Sequence, residues 1–339
     1  KDEKVLFLTP YIGIREGRLI EAEKIIRTND VINCKPEKEP LFYAYSDFDK
    51  HGKDSALEPE ELQDLYVASN LSTVNISVPV TLMSLIPKGF KSIMVAGRHL
   101  GQDHNVAAII RMKRDMQKCG ESAGVCAALA AKKGVQPIDV PYEEIKAILE
   151  KSGCLDENNN RGMRFDDSFR KEKVQWMKEP EDIKEALKTD MPGIAIYSCK
   201  LNADRIVPFL KEWIQGEDLK LKYHSAIALG LAGGKESLPV LRDIVRNRDA
   251  YYFKDCRRTN QFRTVIAIYL LGKLGDKDSI PMLREILCNE DEYKKDLYHE
   301  IKETSYKLNV CKNFNELYFQ VISHSAVALT KMISRYPEV

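Results

Sequence analysis

Apolar positions along the chain follow two different periods. Before residue 90 they form short β-type runs, such as KVLFLTPYIGI (4–14) and NISVPVTLMSLIP (75–87). From about residue 180 onward, nearly every segment repeats its apolar positions with the helical period. The pattern therefore predicts an α+β N-terminal region followed by an all-α C-terminal domain.

The middle of the chain combines both periods. IMVAG (93–97) predicts a buried parallel strand, and the Ala-rich stretch that opens with Gly120 and Gly124 predicts a helix. Pro141 suits the first turn of the next helix, and Gly153 can end it. We divide the chain into residues 1–154 (β region 1–90, strand–loop–helix 91–134, helix 137–153), a linker at 155–179, and a helical repeat domain at 180–339.

The helical region contains a weak internal repeat. Three segments align on a proline and on a leucine two residues later: ADRIVPFLKEWI (203–214), KESLPVLRDIV (235–245) and KDSIPMLREIL (277–287). A helical hairpin cannot bury its apolar face alone, so successive hairpins must stack. Residues 180–336 thus resemble the HEAT-like family of α-solenoids, whose concave face could bind a protein partner.

Charge and composition exclude several classes of function. The 52 basic and 51 acidic side chains leave a net charge of +1, so the basic excess of a nucleic-acid-binding protein is absent. No run reaches the ~18 apolar residues of a membrane span. The eight cysteines form no C-x-x-C pair and are expected to be small buried residues, with no metal site.

Residues 84–129 carry a family resemblance. SLIPKGFKSIMVAGRHLGQDH (84–104) resembles the C-terminal signature of the FAD-dependent oxidoreductases of the glutathione-reductase-like superfamily. It is most similar to a group in which a strand ending in V-A-G-R is followed by a histidine, an arginine and a G-Q-A-A-G helix; here GESAGVCAAL (120–129) stands for that helix. Upstream, GIREGRLIEAE (13–23) resembles the group's arginine-rich strand, and the resemblance spans roughly residues 5–150.

The resemblance implies FAD as the cofactor and flavin-mediated hydride transfer on a small-molecule substrate. The residues that it places against the flavin are Gly97, Arg98, Asp103, Arg111, Gly120 and Gly124. It also implies that His104 donates a proton and that Arg15, with Arg18, orients an anionic or carbonyl group.

Each of these assignments has a structural alternative. The glycines also suit a generic strand–helix packing unit, and Asp103 suits a solvated loop. His104 could be a hydrogen-bonded structural histidine. The two arginines could form ion pairs with Glu16 or Glu21.

The sequence departs from the family pattern in three places. Glu121 replaces the family's glutamine, and residues 113–115 carry three charges where the family often has none. None of the 18 glycines forms G-x-G-x-x-G, so the pyrophosphate-binding half of an FAD site is missing. We therefore expect the chain to be a fragment or processed form that neither retains FAD tightly nor is active alone, and its compartment stays open.

Two hypotheses follow. In the first, the chain is part of an FAD-dependent oxidoreductase with a HEAT-like helical tail. In the second, it is a non-catalytic interaction module in which a degenerate flavoprotein remnant supports a protein-binding solenoid. The agreement over residues 84–129 favours the first, and Glu121 with the charged run favours the second.

Overall fold

A computed structural model describes residues 17–49, 54–256, 260–289 and 314–336. The chain divides into two compact units. Unit 1 consists of Lys1–Asp49 and Ile76–Gly162, and unit 2 consists of Lys50–Asn75 and Met163–Val339. Residues 54–75, which the sequence placed in the β region, therefore pack with the C-terminal helices.

The described residues contain short strands and many helices. The strands are β1 (Pro40–Ser46), β2 (Asn75–Thr81), β3 (Met163–Asp166) and β4 (Lys171–Lys173). The helices are α1 (Thr28–Ile32), α2 (Glu60–Gln63), α3 (His104–Ile110), α4 (Lys113–Lys133), α5 (Tyr142–Ser152), α6 (Pro180–Leu187), α7 (Gly193–Leu201), α8 (Ala203–Trp213), α9 (Leu219–Leu231), α10 (Leu238–Arg246), α11 (Arg263–Leu274), α12 (Ile280–Cys288) and α13 (Phe314–Arg335).

The core of unit 1 forms around an antiparallel pair of strands. β1 pairs with β2 so that Phe42 lies opposite Val80 and Ala44 lies opposite Val78. All four side chains are at most 1% exposed, because α3, α4 and α5 pack on β1. The predicted β-type run at residues 75–87 therefore contains a strand, β2.

Residues 93–97 do not form the predicted parallel strand. The segment is irregular, and its backbone meets a neighbouring segment where Val95 N donates to Leu85 O at 2.8 Å. Ile93 is 49% exposed and Phe90 is 53% exposed. A parallel strand needs continuous pairing and cover on both faces, and this surface segment lacks that cover within the described residues.

The helix that carries Gly120 and Gly124 begins earlier than the sequence indicated. α4 starts at Lys113, because Lys, Arg, Met and Gln in this stretch are good helix formers. Both glycines are therefore internal, and their N–H groups are not at the helix start. The following helix matches its prediction: Pro141 is the N-cap of α5, and Gly153 ends it with a left-handed φ of 79°.

Unit 2 contains two helical hairpins that follow the predicted repeat. α9 and α10, like α11 and α12, are joined by a glycine-containing turn and a short 3-10 turn, at Lys235–Ser237 and Lys277–Ser279. Pro239 and Pro281 lie in the first turn of the second helix of each hairpin. Pro208 instead lies inside α8, so the first segment of the alignment lacks this geometry.

The predicted linker at 155–179 contains regular structure. β3 and β4 form an antiparallel hairpin in which Arg164 lies opposite Lys173. Phe165 is fully buried, and the Arg170 guanidinium lies 3.9 Å from the centroid of its ring. The polar sequence of this stretch reflects the outward side chains of the hairpin, since all three residues of β4 are exposed.

Candidate flavin-facing surface

Gly97 and Arg98 line an open groove beside the first turns of α4. The groove has a volume of about 490 Å³, and its walls are Ala96, Gly97, Arg98, Lys113, Met116 and Gln117. The walls include two cationic side chains and no carboxylate. The groove therefore suits a ligand that is anionic or rich in electrons.

Gly120 and Gly124 continue the wall of this groove along α4. Lys113, Gln117, Gly120 and Gly124 lie at helical spacings of three and four, so they share one face. Both glycines are exposed, and a Cβ added to either would meet nothing within 4 Å. This face of α4 thus has backbone without side chains at its surface, where a flat ring system could lie close.

Asp103 has a structural role in the loop after the groove. Its carboxylate accepts hydrogen bonds from Val106 N at 2.9 Å and from the Thr28 hydroxyl at 2.8 and 2.9 Å. It caps the N-terminus of α3 and fastens α1 to it. His104, the first residue of α3, is exposed beside this cap.

Arg111 is buried and supports Arg98. Its guanidinium donates to Asp49 O at 2.8 Å and to the Asp49 carboxylate at 3.0 Å. Its carbonyl oxygen accepts from Arg98 Nε at 3.2 Å. Arg111 therefore does not line the groove but fixes the position of a residue that does.

The remaining predicted residues are dispersed. Arg15 lies outside the described residues, and Arg18 is exposed. Glu21, the alternative partner of these arginines, forms an ion pair with Lys88 at 3.0 Å. Glu121 is exposed on α4.

The sequence analysis missed two residues near the groove. Asp115, in the first turn of α4, is 1% exposed, and its burial raises the pKa of its carboxyl to about 6 although Arg114 and Lys118 oppose the shift. Gly101 is buried so tightly that an added Cβ would lie 2.3 Å from the Ala22 Cβ and 2.6 Å from Lys24 O. The sequence offered one signal for each residue: Asp115 is acidic and lies in the first turn of a helix, and Gly101 is a glycine in a loop.

Other classes of site receive no support. No group of three or more His, Cys, Asp or Glu side chains within the described ranges could hold a metal ion. In the same part of the chain, no helix is both long and apolar enough for a membrane crossing. Five described cysteines are buried thiols, whereas Cys34 and Cys288 are exposed thiols.

The residues present fit one side of a flavin. The bare face at Gly120 and Gly124 leaves room for a ring, and Arg98 and Lys113 supply positive charge beside it. The Asp103 carboxylate already serves Val106 and Thr28, so it fits a ribityl hydroxyl less well.

Comparison with known proteins shows a similarity in this part of the chain. Residues 2–149, less than half of the 339 residues, match the sequence profile of the FAD dependent oxidoreductase family. No curated protein and no solved structure matches the chain. Residues 2–149 are therefore similar to FAD-dependent oxidoreductases, and FAD is the cofactor that this family implies.

Proposed function

We propose that unit 1 supplies the flavin-facing surface of an FAD-dependent oxidoreductase of the glutathione-reductase-like superfamily, which transfers hydride on a small-molecule substrate. The observation that carries this proposal is the coincidence of two features. The stretch that matches the family, residues 2–149, contains the bare face of α4 and the cationic groove beside Gly97.

The described residues have distinct roles in this proposal. FAD, when bound, accepts or donates the hydride. Gly120 and Gly124 allow close approach of the ring, since a Cβ added at either would meet nothing within 4 Å. Gly97 lies beside the His99 imidazole, which a Cβ added at Gly97 would meet at 3.3 Å. Arg98, held by the Arg111 carbonyl, places positive charge where negative charge develops on reduction.

His104 is the proposed acid, and Arg15 is the proposed substrate-orienting group. His104 would hold a proton at its imidazole, at the surface next to the α3 cap that Asp103 forms. Arg15 would pair with an anionic or carbonyl group of the substrate. The adenosine-pyrophosphate part of FAD would be held by polypeptide outside this sequence, because no G-x-G-x-x-G occurs within it.

The test uses the full-length gene product and its visible absorption spectrum after incubation with FAD. We expect a bound-flavin spectrum, and we expect Gly124→Val to weaken FAD binding at least about tenfold by covering the bare face. A Cβ added at Gly124 meets nothing within 4 Å and valine has a higher helix propensity than glycine, so we expect the fold to be retained. Lys132→Val is the matched control at an exposed position in the last turn of α4. A colourless full-length protein that takes up no FAD would refute the proposal.

A second proposal concerns unit 2, whose helices we infer to be HEAT-like repeats that bind a protein partner. The repeated hairpins α9–α10 and α11–α12 support it, with Leu241 and Leu283 fully buried at equivalent positions. If unit 1 proves unable to bind flavin, a protein-binding module becomes the better explanation for the chain. If a protein copurifies with the full chain, its loss from a chain that ends before Pro180 would support this role. A complex that forms equally well with the shortened chain would contradict it.

A further inference from the structure

A second pocket lies in unit 1, away from the groove beside Gly97. It has a volume of about 450 Å³, within the range of about 300–1,000 Å³ that small-molecule sites occupy. Its walls come from the segment 24–39, from residues 81–83 at the end of β2, and from residues 138–145 at the start of α5. None of its lining residues lines the groove.

The floor of this pocket is apolar. Val140 is 6% exposed and Ile145 is 1% exposed, and both contribute to the wall. Leu82, Met83 and Ile138 extend the aliphatic surface toward the mouth and are half-buried. An aliphatic or aromatic group that enters the pocket would therefore leave water for hydrocarbon surroundings.

The rim of the pocket carries two cations and two anions. Lys24 and Glu37 form an ion pair with each other at one side. Lys38 and Glu39 are neighbours at the mouth, both exposed, and neither has an ion-pair partner among the residues that the structure describes. The lining as a whole is electrically neutral, yet it offers separate positive and negative charges a short distance apart.

The backbone at the mouth has an unusual conformation. Glu39 has a left-handed φ of 60°, which is costly for a residue with a side chain. It immediately precedes β1, where the Tyr142 hydroxyl donates to Pro40 O at 2.9 Å. The structure thus holds Glu39 at the mouth of the pocket, against a local preference for other conformations.

We propose that this pocket binds a free α-amino acid with an apolar side chain. The side chain occupies the floor of Val140 and Ile145, while the carboxylate pairs with Lys38 and the ammonium pairs with Glu39. A simple fatty acid or amine matches only half of this rim, because it can pair with Lys38 or with Glu39 but not with both. The site is independent of the flavin-facing surface, so the proposal does not rest on the proposed function.

Calorimetric titration of the 339-residue chain with L-phenylalanine and L-leucine tests the proposal. Both should bind with measurable heat. Glycine removes the apolar side chain, phenethylamine removes the carboxylate, and 3-phenylpropionate removes the ammonium. Glycine should bind at least about tenfold more weakly, since burial of an apolar side chain contributes more than that factor. Phenethylamine and 3-phenylpropionate should each bind about two- to fivefold more weakly, as expected for the loss of one exposed charge pair. Equal affinity for phenylalanine and 3-phenylpropionate would overturn the assignment to an amino acid.

Three variants locate the site. Ile138→Trp fills the half-buried mouth and should abolish binding, whereas Ile148→Trp, at a 41% exposed position on α5 outside the pocket, should leave it unchanged. Lys38→Gln changes an exposed side chain and should weaken binding about two- to fivefold with no loss of stability. Unchanged affinity in Ile138→Trp with a native circular dichroism spectrum, or no binding by the parent chain, would refute the proposal.

Discussion

Asp64 is the most informative residue to perturb in unit 2. It begins the π-helical turn Asp64–Ala68, and its side chain is 2% exposed. Its carboxylate accepts hydrogen bonds from the Tyr269 hydroxyl at 2.6 Å, from Lys273 Nζ at 2.7 Å and from Lys200 Nζ at 2.7 Å. One buried charge therefore joins the segment 54–75 to both α7 and α11.

Asp64→Asn removes this charge and keeps the shape of the side chain. Breaking a buried ion pair by removing one partner costs about 3–5 kcal/mol, because the other charge stays buried and uncompensated. Lys273 is 14% exposed and keeps Glu60 at 3.1 Å, and Lys200 is 31% exposed, so both retain part of their solvation. We therefore expect the low end of this range, about 3 kcal/mol.

The assay is urea unfolding of the full chain, followed by far-ultraviolet circular dichroism. A loss of about 3 kcal/mol also lowers the midpoint of thermal unfolding by about 6–12 °C for a unit of this size. Asp243→Asn is the matched control, because Asp243 is 56% exposed and pairs with Arg246 at the surface of α10. Asp243→Asn should lower the free energy of unfolding by less than about 1 kcal/mol.

Equal losses of stability in Asp64→Asn and Asp243→Asn would refute the reasoning, since the expected difference comes from the burial of Asp64 alone. Tyr269→Phe supplies a second check. Burial and the Asp64 carboxylate both raise the pKa of the Tyr269 hydroxyl, so the hydroxyl is a neutral donor at every accessible pH. Loss of the Tyr269 hydroxyl should lower the free energy of unfolding by about 1–3 kcal/mol while Asp64 is present. The same change made together with Asp64→Asn should have no such effect.

Three further predictions concern pH and packing. Burial lowers the pKa of His224 to about 3 from 6.5, so its contribution to stability should fall by roughly 4 kcal/mol as the pH drops from 6.5 toward 3. Burial raises the pKa of Asp255 to about 7 from 3.8, so its contribution should fall as the pH rises from about 4 through 7. The two contributions oppose each other between about pH 4 and 6.5, so each is measured as the difference between variant and parent in urea unfolding at several pH values. Relative to the parent, His224→Gln should gain stability as the pH falls and Asp255→Asn should gain stability as the pH rises; a difference that does not change with pH would contradict the assignment. Gly101→Ala should destabilise unit 1 by about 1–3 kcal/mol, because the added Cβ would lie too close to the Lys24 backbone. Gly120→Ala, where the Cβ enters open space, should stabilise α4 by about 0.5–1 kcal/mol. Thermal unfolding of both variants measures the two effects.

Local signals in the sequence predicted much of the helical structure. Pro141 and Gly153 bound α5, and the Pro239 and Pro281 register defines the start of α10 and of α12. These features depend on capping and on the fixed φ of proline, which act within one turn of the chain.

The strand at residues 93–97 and the start of α4 were predicted wrongly for the same kind of reason. The conformational preference of a short apolar run does not distinguish a buried strand from an exposed irregular segment. The segments that pack against it in the folded structure decide between the two. Likewise, the helix was predicted to open with Gly120 and Gly124, but the helix propensity of the preceding charged stretch and the burial of Asp115 extend it to Lys113.

The sequence by itself determined the hairpins α9–α10 and α11–α12 and the resemblance of residues 84–129 to a flavin-facing segment, because both depend on the local order of residues. Only the tertiary structure decided that residues 54–75 pack with the C-terminal helices through Asp64, that Arg111 supports Arg98, and that a pocket of about 450 Å³ lies beside Lys38 and Glu39. These arrangements join residues distant in sequence, and burial and charge pairing between such residues leave no periodic trace along the chain.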